Sequence, residues 1–322
     1  MRESLLEAAG AVLLGSAALL MVGRLGNRGF FLWLRTVGIL GLLVGILSLA
    51  LAALTGSAIA GLVVGVITAA MMYLFSSRIV RIQMGAVDAE EFLRYKPEYA
   101  DKLRRVQEMV SKLASKAGLP EPELVVVPEE TGVGGYPNAF ATGRRSKPTV
   151  GVTEGLLRHL DDDEIYGVLG HELAHVKNRD TLVMTVAAAV STAIAYAFDP
   201  WLNAMYTEDW EDIAFLVLAG MLASLISTLL VAAISRSREY LADEEGAKLS
   251  GNPMALAEAL EKIEAIVKSN PAPARSLSEV STAHLWIENP FRGGLLRLFS
   301  THPPVEKRVE RLRRLARELQ GP

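Results

Sequence analysis

The stretch His171-Glu172-Leu173-Ala174-His175 is the most informative part of this chain. Residues four apart on an α-helix lie on the same face, one turn apart, so both imidazoles can bind a single metal ion. A glutamate beside the first histidine is typical of zinc hydrolases in which that carboxylate acts as general base toward a water molecule. The stretch therefore predicts a catalytic zinc site, with a chance match on a core helix as the alternative.

The flanking residues predict that this stretch is helical. Asp161 is a suitable N-cap, and residues 162–164 add negative charge to the first turn, where it interacts favourably with the helix dipole. The apolar residues at helical spacing are Ile165, Val168, Leu169 and Leu173. We therefore expect a helix that packs one face against a core and carries both histidines.

High hydropathy is concentrated in a few runs of the chain. Hydrophobic residues make up 51% of the 322 residues, and no charged residue occurs from Thr36 to Ser77. One helix of that length would be roughly 60 Å long, twice the hydrocarbon thickness of a bilayer, so we expect two helices joined at 55–57. The sequence predicts five membrane spans, at about 5–23, 36–54, 58–76, 182–198 and 213–234. For the first span, a cleavable signal peptide is the alternative.

The distribution of basic residues predicts the orientation of these spans. Arginine and lysine occur in the loops that fall on one side of the membrane, at 24–35, 78–81, 177–179 and 236–238, whereas the loop 199–212 is acidic. By the positive-inside rule the basic side is the cytoplasm, and the histidine pair lies on that side. The absence of cysteine fits a reducing compartment and excludes thiolate ligands. The net charge of −3 gives no indication of nucleic-acid binding.

The chain divides into membrane and polar segments. We expect an N-terminal membrane anchor at 1–83, a cytoplasmic catalytic part at 84–180, a transmembrane hairpin at 181–234 and a second cytoplasmic catalytic part at 235–322. In the polar segments, periodicity predicts strands at 123–127, 138–142 and 149–152, and helices that end at Gly118 and that span 235–249, 254–267 and 304–319. The last helix is basic, and we expect its charges to form a solvated face rather than to bind lipid headgroups. The predicted fold is a mainly α membrane protein with a small β-sheet.

A catalytic zinc usually has three protein ligands, so one more is needed beyond the two histidines. The segment Glu239-Tyr240-Leu241-Ala242-Asp243 follows the last predicted span, on the same side of the membrane as the histidine pair. Glu239 and Asp243 share a helix face, so Glu239 can bind the metal while Asp243 holds the outer nitrogen of a ligand histidine. Taken alone, such a segment is more often a solvated helix face. The alternative third ligand is His302 or a carboxylate other than Glu239.

Four segments resemble motifs of the HtpX membrane zinc endopeptidases, a heat-shock protease family related to the CAAX prenyl proteases. They are His171-Glu-Leu-Ala-His-Val-Lys-Asn-Arg-Asp180, Ser237-Arg-Glu-Tyr-Leu-Ala-Asp243, Pro137-Asn-Ala-Phe-Ala-Thr-Gly143 and Ser300-Thr-His-Pro-Pro304. The resemblance extends over roughly residues 84–319. That family usually has two spans before its catalytic part, whereas three are predicted here.

The resemblance implies a gluzincin-like catalytic domain. One zinc ion per chain would be bound by His171, His175 and Glu239, with Glu172 as the general base. His302, followed by two prolines, would donate a hydrogen bond to the oxyanion that forms during hydrolysis. A histidine that only packs in the interior is the alternative for His302.

The resemblance also implies a substrate-binding strand. In related zinc peptidases an edge strand pairs with the substrate backbone by β-augmentation, and here that strand would be Asn138-Ala139-Phe140. The Asn138 side chain could bind a substrate amide in addition. The alternative is an ordinary turn and strand with asparagine in the turn.

The resemblance further implies a function in membrane-protein quality control. The enzyme would cleave misfolded or damaged membrane proteins at the cytoplasmic face of the plasma membrane, with protein substrates and the lipid bilayer as partners. A CAAX-type prenyl-peptide protease and a zinc-binding membrane transporter are the alternatives, and an inactive scaffold is a further one. The transporter leaves Glu172 and the strand at 138–140 without a role.

Overall fold

The computed structural model describes residues 71, 74–132, 134–184, 210–270, 287 and 302–320. The chain forms two compact units, of which one comprises Met1–Tyr73 with Leu182–Ser237 and the other Leu74–Thr181 with Arg238–Pro322. The described part of the first unit is mainly the beginning of a long helix. The second unit contains the four strands and most of the helices that the structure describes, and it carries the histidine pair.

The helices are α1 (Ala89–Tyr95), α2 (Ala100–Ala117), α3 (Glu154–His159), α4 (Asp162–Lys177), α5 (Trp210–Ser250), α6 (Pro253–Ser269) and α7 (Val305–Gln320). The strands are β1 (Val87–Asp88), β2 (Glu123–Val127), β3 (Ala139–Arg144) and β4 (Lys147–Thr153). Residues 74–84 and 180–184 are also helical.

The four described strands form one mixed sheet in the order β1-β2-β4-β3. β2 pairs with β4 in parallel, with Val125 opposite Gly151, whereas β3 pairs with β4 antiparallel, with Phe140 opposite Gly151. β3 is therefore an edge strand of this sheet. The parallel pair needs a crossover connection, and the edge strand β3 lies in that connection.

The alternation of side chains divides the sheet between two apolar clusters. Leu124, Val126, Val150 and Val152 join the large core formed with α2, α4, α6 and α7. Val125, Val127 and Phe140 face the other way, against Val80 and Met84 of the helical segment 74–84. Both faces of this small sheet are thus covered, which explains why β2 is apolar at four successive positions.

Local sequence signals determine where α2 and α4 begin and end. Leu103, Val106, Val110 and Leu113 are all buried on one face of α2. That helix ends at Gly118, whose φ of 64° is a left-handed conformation that glycine adopts without strain. At the start of α4, Asp161 accepts from Glu164 N–H while Glu164 accepts from Asp161 N–H, a complete capping box. The predictions for both helices are confirmed.

The helices α4 and α5 cross at two glycines with direct backbone contact. A Cβ atom at Gly246 would lie 2.6 Å from the Cα of His171, and one at Gly170 would lie 2.8 Å from the carbonyl oxygen of Gly246. Real Cβ contacts are never so short, so any larger residue would push the helices apart. The crossing brings His171 next to the turns of α5 that contain Glu239 and Asp243.

The mainly helical fold with a small sheet is confirmed. The predicted helices at 235–249, 254–267 and 304–319 are all present, although the first is the end of the continuous helix α5 rather than a separate element. Among the described residues, no helix combines the length and the apolar composition that crossing a bilayer requires. The spans predicted at 5–23, 36–54, 58–76 and 182–198 lie almost wholly outside the described residues, as do most side chains of 213–234.

Candidate metal centre

The last turns of α4 bring the two histidines together, as their spacing predicts. Nε2 of His171 lies 3.1 Å from Nε2 of His175, and the two rings are nearly perpendicular. Both nitrogens therefore point toward one position. His171 is almost fully buried, whereas the His175 side chain retains 16% of its exposure.

Glu239 of α5 completes a set of three donors. Its carboxylate oxygens lie 3.5 Å from Nε2 of His171 and 3.5 Å from Nε2 of His175. Tetrahedral zinc bonded at about 2.0–2.1 Å separates neighbouring ligand atoms by roughly 3.3 Å. The spacing of these three residues therefore fits a zinc ion. Among the described side chains, they are the group of histidines and carboxylates that could bind a metal ion.

The charge balance of the site favours a divalent cation. Four buried carboxylates, those of Glu172, Asp180, Glu239 and Asp243, surround the histidines, against the guanidiniums of Arg238 and Arg308. The excess of two negative charges equals the charge of one divalent ion with neutral histidines. Burial lowers the pKa of His171, but the hydrogen bonds with Asp243 and Glu239 outweigh it and raise that pKa to about 10. The same field that holds a proton on His171 attracts a metal ion in its place.

The outer nitrogen of His171 is held by a buried ion pair. Nδ1 of His171 lies 3.0 Å from Asp243 Oδ1. Arg308 of α7 donates to both carboxylate oxygens of Asp243, at 2.9 and 2.7 Å, and its side chain is completely buried. Burial raises the pKa of Asp243, but the charge of Arg308 outweighs it and lowers that pKa to about 2. Asp243 is thus an anion that directs Nε2 of His171 toward the metal position.

A second ion pair holds the outer nitrogen of His175. Nδ1 of His175 lies 2.7 Å from Asp180 Oδ2, and Arg238 donates to the other oxygen of Asp180 and, at 2.7 Å, to the carbonyl of Asn178. Asp180 reaches back to the histidine because Arg179 reverses the chain just after α4, with a φ of 57°. That left-handed conformation is unusual for a residue with a Cβ atom.

The carboxylate of Glu172 is available for chemistry. It is 6% exposed and makes no hydrogen bond with any residue that the structure describes. Its burial raises the pKa, while the two neighbouring histidines act in the opposite direction. A general base for a water molecule needs a basic, unpaired carboxylate of this kind.

His302 lies beside Glu239, the candidate third ligand. Its Nδ1 is 2.8 Å from Glu239 Oε2, and the side chain is 14% exposed. The predicted role, donation to an oxyanion, needs an imidazole close to the metal position but outside the ligand set. This location meets that requirement, and the role stays a prediction.

Asn138 precedes the edge strand and is completely buried. Its backbone N–H donates to Thr153 Oγ1 at 2.9 Å, which fixes the strand start against the cap of α3. Its side-chain Oδ1 accepts the backbone N–H of Ile287 at 3.0 Å. The Asn138 side chain, predicted to bind a substrate amide, therefore binds the backbone amide of Ile287 in this structure. Ala139 is 1% exposed and Phe140 2%, with the Phe140 ring over Gly151, so only their backbones could pair with a substrate.

Three residues of this centre were missed by sequence reasoning. Asp180 and Arg238 lie within two of the four segments that carry the family resemblance, but their residue types alone assign neither of them to the metal centre. The basic character of residues 304–319 predicts a solvated helix face, and this prediction is wrong for Arg308, which is buried in the centre. A basic residue on the apolar side of α7, between Val305 and Val309, is the signal that could have identified it.

The fold and the site define a metallopeptidase of the type with two histidines and a glutamate on one helix. Comparison with known proteins agrees: residues 100–316 match Peptidase family M48. The chain belongs to this family, and it is a metalloprotease.

Curated relatives cover most of the chain. The Protease HtpX homolog of Pyrococcus furiosus is 50% identical over 231 residues, which are 69% of this chain and 76% of the relative. The Protease HtpX homolog of Aquifex aeolicus is 44% identical over 66% of this chain and 72% of its own length. These relatives confirm the family that the four sequence segments resemble.

A solved structure has a similar fold. The crystal structure of Ste24p from S. mikatae matches with a TM-score of 0.51 at 17% sequence identity. The match covers 88% of this chain and 64% of the Ste24p chain, and it concerns the fold alone.

Proposed function

We propose that this chain is a membrane-anchored zinc endopeptidase that cleaves misfolded or damaged membrane proteins at the cytoplasmic face of the plasma membrane. The observation that carries the catalytic part of the proposal is the set of three donors at 3.1–3.5 Å, together with the buried carboxylate of Glu172, which follows His171 in α4. The anchorage and the orientation rest on the uncharged runs and the basic loops of the sequence.

The zinc ligands in this proposal are His171, His175 and Glu239. A zinc ion bound there would polarise the scissile carbonyl and acidify the attacking water. Glu172 takes the proton of that water and transfers it to the leaving amine. His302 donates a hydrogen bond to the carbonyl oxygen as negative charge develops.

The substrate would bind as an extended strand along β3. An edge strand has unpaired backbone groups that can add a further strand, and Asn138 precedes this edge. The bond between Asn138 and Ile287 supports the idea that its side chain can accept a backbone amide at this point. Only extended, flexible segments fit such an edge, which favours unfolded regions of protein substrates.

Replacing the proposed base tests the catalytic part. Glu172→Gln should lower casein hydrolysis by roughly 10²–10⁴-fold, because a neutral amide cannot take the proton. Zinc content, measured by elemental analysis of the purified full chain, should stay at one ion per chain. Glu258→Gln, at an exposed position of α6, is the matched control and should keep the parent activity. Full hydrolysis by Glu172→Gln would show that another group is the base.

Removing the proposed third ligand tests the metal site. Glu239→Ala should bind zinc far more weakly than the parent in a chelator competition, because two histidines alone leave the ion poorly coordinated. Glu258→Ala is the control and should bind as the parent does. An unchanged zinc affinity of Glu239→Ala would exclude Glu239 as a ligand.

A CAAX-type prenyl-peptide protease is the second candidate, because the family that the motifs resemble is related to the CAAX prenyl proteases. The two candidates differ in their dependence on a lipid group. A farnesylated peptide and its unmodified form should be cleaved at similar rates by a quality-control endopeptidase. A strong preference for the farnesylated peptide would favour the second candidate.

A further inference from the structure

A cavity of about 840 Å³ opens at one end of the sheet. Arg144 and Lys147, which flank the β3–β4 turn, line it together with Glu123 at the start of β2. Its other side is formed by the helical segment 74–84. Asn138 precedes β3 at the other end of that strand, so this cavity does not include the proposed substrate-binding residues Asn138, Ala139 and Phe140.

The cavity carries an excess of positive charge. Arg78, Arg81, Arg144 and Lys147 line it, against the single carboxylate of Glu123. Arg81 is paired, since it donates to Glu123 at 2.7 Å and to Asp88 at 2.8 Å. The other three cations form no ion pair within the described residues, and an anion in the cavity would compensate them.

The β3–β4 turn concentrates these cations at a cost in stability. Arg144 and Lys147 are opposite each other in the antiparallel pair, and Arg145 follows directly in the turn. Like charges at directly opposed positions destabilise a sheet. A bound anion would remove that repulsion.

An apolar stripe runs past the cationic group. Leu74, Phe75 and Ile82 are 50%, 44% and 79% exposed, and their spacing puts them on one helix face with Arg78 between them. Large apolar side chains at such exposure mark a surface that contacts an apolar partner. The surface is thus amphipathic, with a cationic cavity beside an apolar stripe.

The position of this surface in the chain indicates the partner. The uncharged run from Thr36 ends at Ser77, inside the same helical segment. The β3–β4 hairpin packs directly on that point, because a Cβ atom at Gly143 would lie 2.5 Å from Ser77 Oγ. The cations of the turn are therefore at the level where the apolar chain ends, which is where a bilayer has its headgroups.

We propose that this surface binds an anionic phospholipid, with the phosphate held by Arg78, Arg144 and Lys147 and an acyl chain along the stripe of Leu74, Phe75 and Ile82. The proposal rests on the membrane anchorage proposed above but not on the peptidase activity. Guanidinium and ammonium groups are the usual partners of phosphate in proteins. An acidic segment of a protein is the rival occupant, and it would leave the apolar stripe unused.

Native mass spectrometry of the full chain in detergent micelles tests the proposal, in a Glu172→Gln background that prevents self-digestion. The parent should bind phosphatidylglycerol at least tenfold more tightly than phosphatidylcholine. Arg144→Gln/Arg145→Gln/Lys147→Gln should remove at least nine tenths of this preference. The control Arg94→Gln/Arg314→Gln/Arg317→Gln changes the net charge equally at exposed positions elsewhere, and it should keep the preference.

The apolar stripe and the source of the phosphate are tested separately. Ile82→Ser should weaken phosphatidylglycerol binding several-fold without a folding defect, because this side chain is 79% exposed. Inorganic phosphate at equal concentration should not displace the lipid. Displacement by phosphate or by a poly-glutamate peptide, or equal binding of the two lipids, would overturn the proposal. A parent chain that shows no preference for phosphatidylglycerol but hydrolyses casein would overturn this inference and leave the proposed peptidase intact.

Discussion

The two proposed ligand histidines are held by the same chemistry from different sources. Each has a carboxylate at Nδ1, and each carboxylate has a buried guanidinium as its partner. For His175 the carboxylate is Asp180, five residues along the chain, in a turn that follows the helix. For His171 it is Asp243, and the guanidinium of Arg308 comes from a third helix. On the His175 side only the guanidinium of Arg238 comes from another helix, α5, and the carboxylate is local, whereas the His171 side exists only after α4, α5 and α7 have packed together.

The difference predicts that the two sides respond differently to the same substitution. The His171 side is closed by a guanidinium with no exposure that makes two hydrogen bonds to one carboxylate. The His175 side is closer to solvent, and its guanidinium makes one such bond and one to a backbone carbonyl. Loss of the first pair therefore leaves a more deeply buried, uncompensated charge.

The largest effect is expected for Arg308→Met. Removing one partner of a buried pair costs about 3–5 kcal/mol of unfolding free energy, because the remaining carboxylate stays buried without compensation. Arg238→Met should cost less, since water can reach its side of the site more easily. Thermal unfolding of both variants in detergent, with Arg314→Met as an exposed control on α7, measures the difference. Equal losses for Arg308→Met and Arg238→Met would remove the proposed asymmetry.

The next effect concerns metal affinity. Asp243→Asn and Asp180→Asn keep the side-chain shape but remove the charge that orients each histidine, and such changes usually lower affinity or activity by roughly 10–100-fold. We expect both variants to fall in this range when zinc is titrated against a chelator, with the larger loss for Asp243→Asn. Asp101→Asn, an exposed position of α2, is the control. Parent affinity in Asp180→Asn would show that this carboxylate only caps the turn.

The smallest effect is expected at the turn after α4. Arg179 adopts a left-handed conformation, which costs a residue with a Cβ atom roughly 1–2 kcal/mol, whereas glycine loses more backbone entropy on folding. Arg179→Gly should therefore change the unfolding free energy by less than about 1 kcal/mol and keep the zinc affinity. Arg179→Val should lower both, because a β-branched residue resists this conformation. Equal stability of the two variants, measured by thermal unfolding, would show that the turn does not depend on this backbone angle.

The comparison also shows how far sequence reasoning could go. The capping box of α4 and its histidine pair each depend on residues three or four positions apart. Their sequence pattern was therefore sufficient to predict them. Glu239 and Asp243 were identified because both lie on one turn of a helix and carry metal-binding groups. Asp180 has the same proximity to His175, but the reversal at Arg179 that brings them together has no signal in the residue type. Sequence reasoning therefore assigned a role to the more distant carboxylate and missed the nearer one.

Some features could not be derived from local pattern at all. The glycine pair at Gly170 and Gly246 has meaning only where α4 and α5 touch. The hydrogen bond between Asn138 and Ile287 joins residues that are 149 positions apart. The side chain predicted to contact a substrate therefore contacts the chain itself. By residue type, Arg308 would be expected on the solvated face of a basic helix. Its burial is favourable only because Asp243, which is 65 residues away in sequence, lies next to it in the fold.

The sequence by itself determined the chemistry of this protein: a helix with two histidines and a glutamate, a second helix with two carboxylates, and their assignment to one peptidase family. Spacing along a helix fixes which side chains share a face, so short motifs contain that information completely. The tertiary structure alone decided which guanidinium neutralises which carboxylate and how closely the two helices approach. Those features depend on the desolvation of charges and on backbone contact between distant segments, and neither is encoded in the order of neighbouring residues.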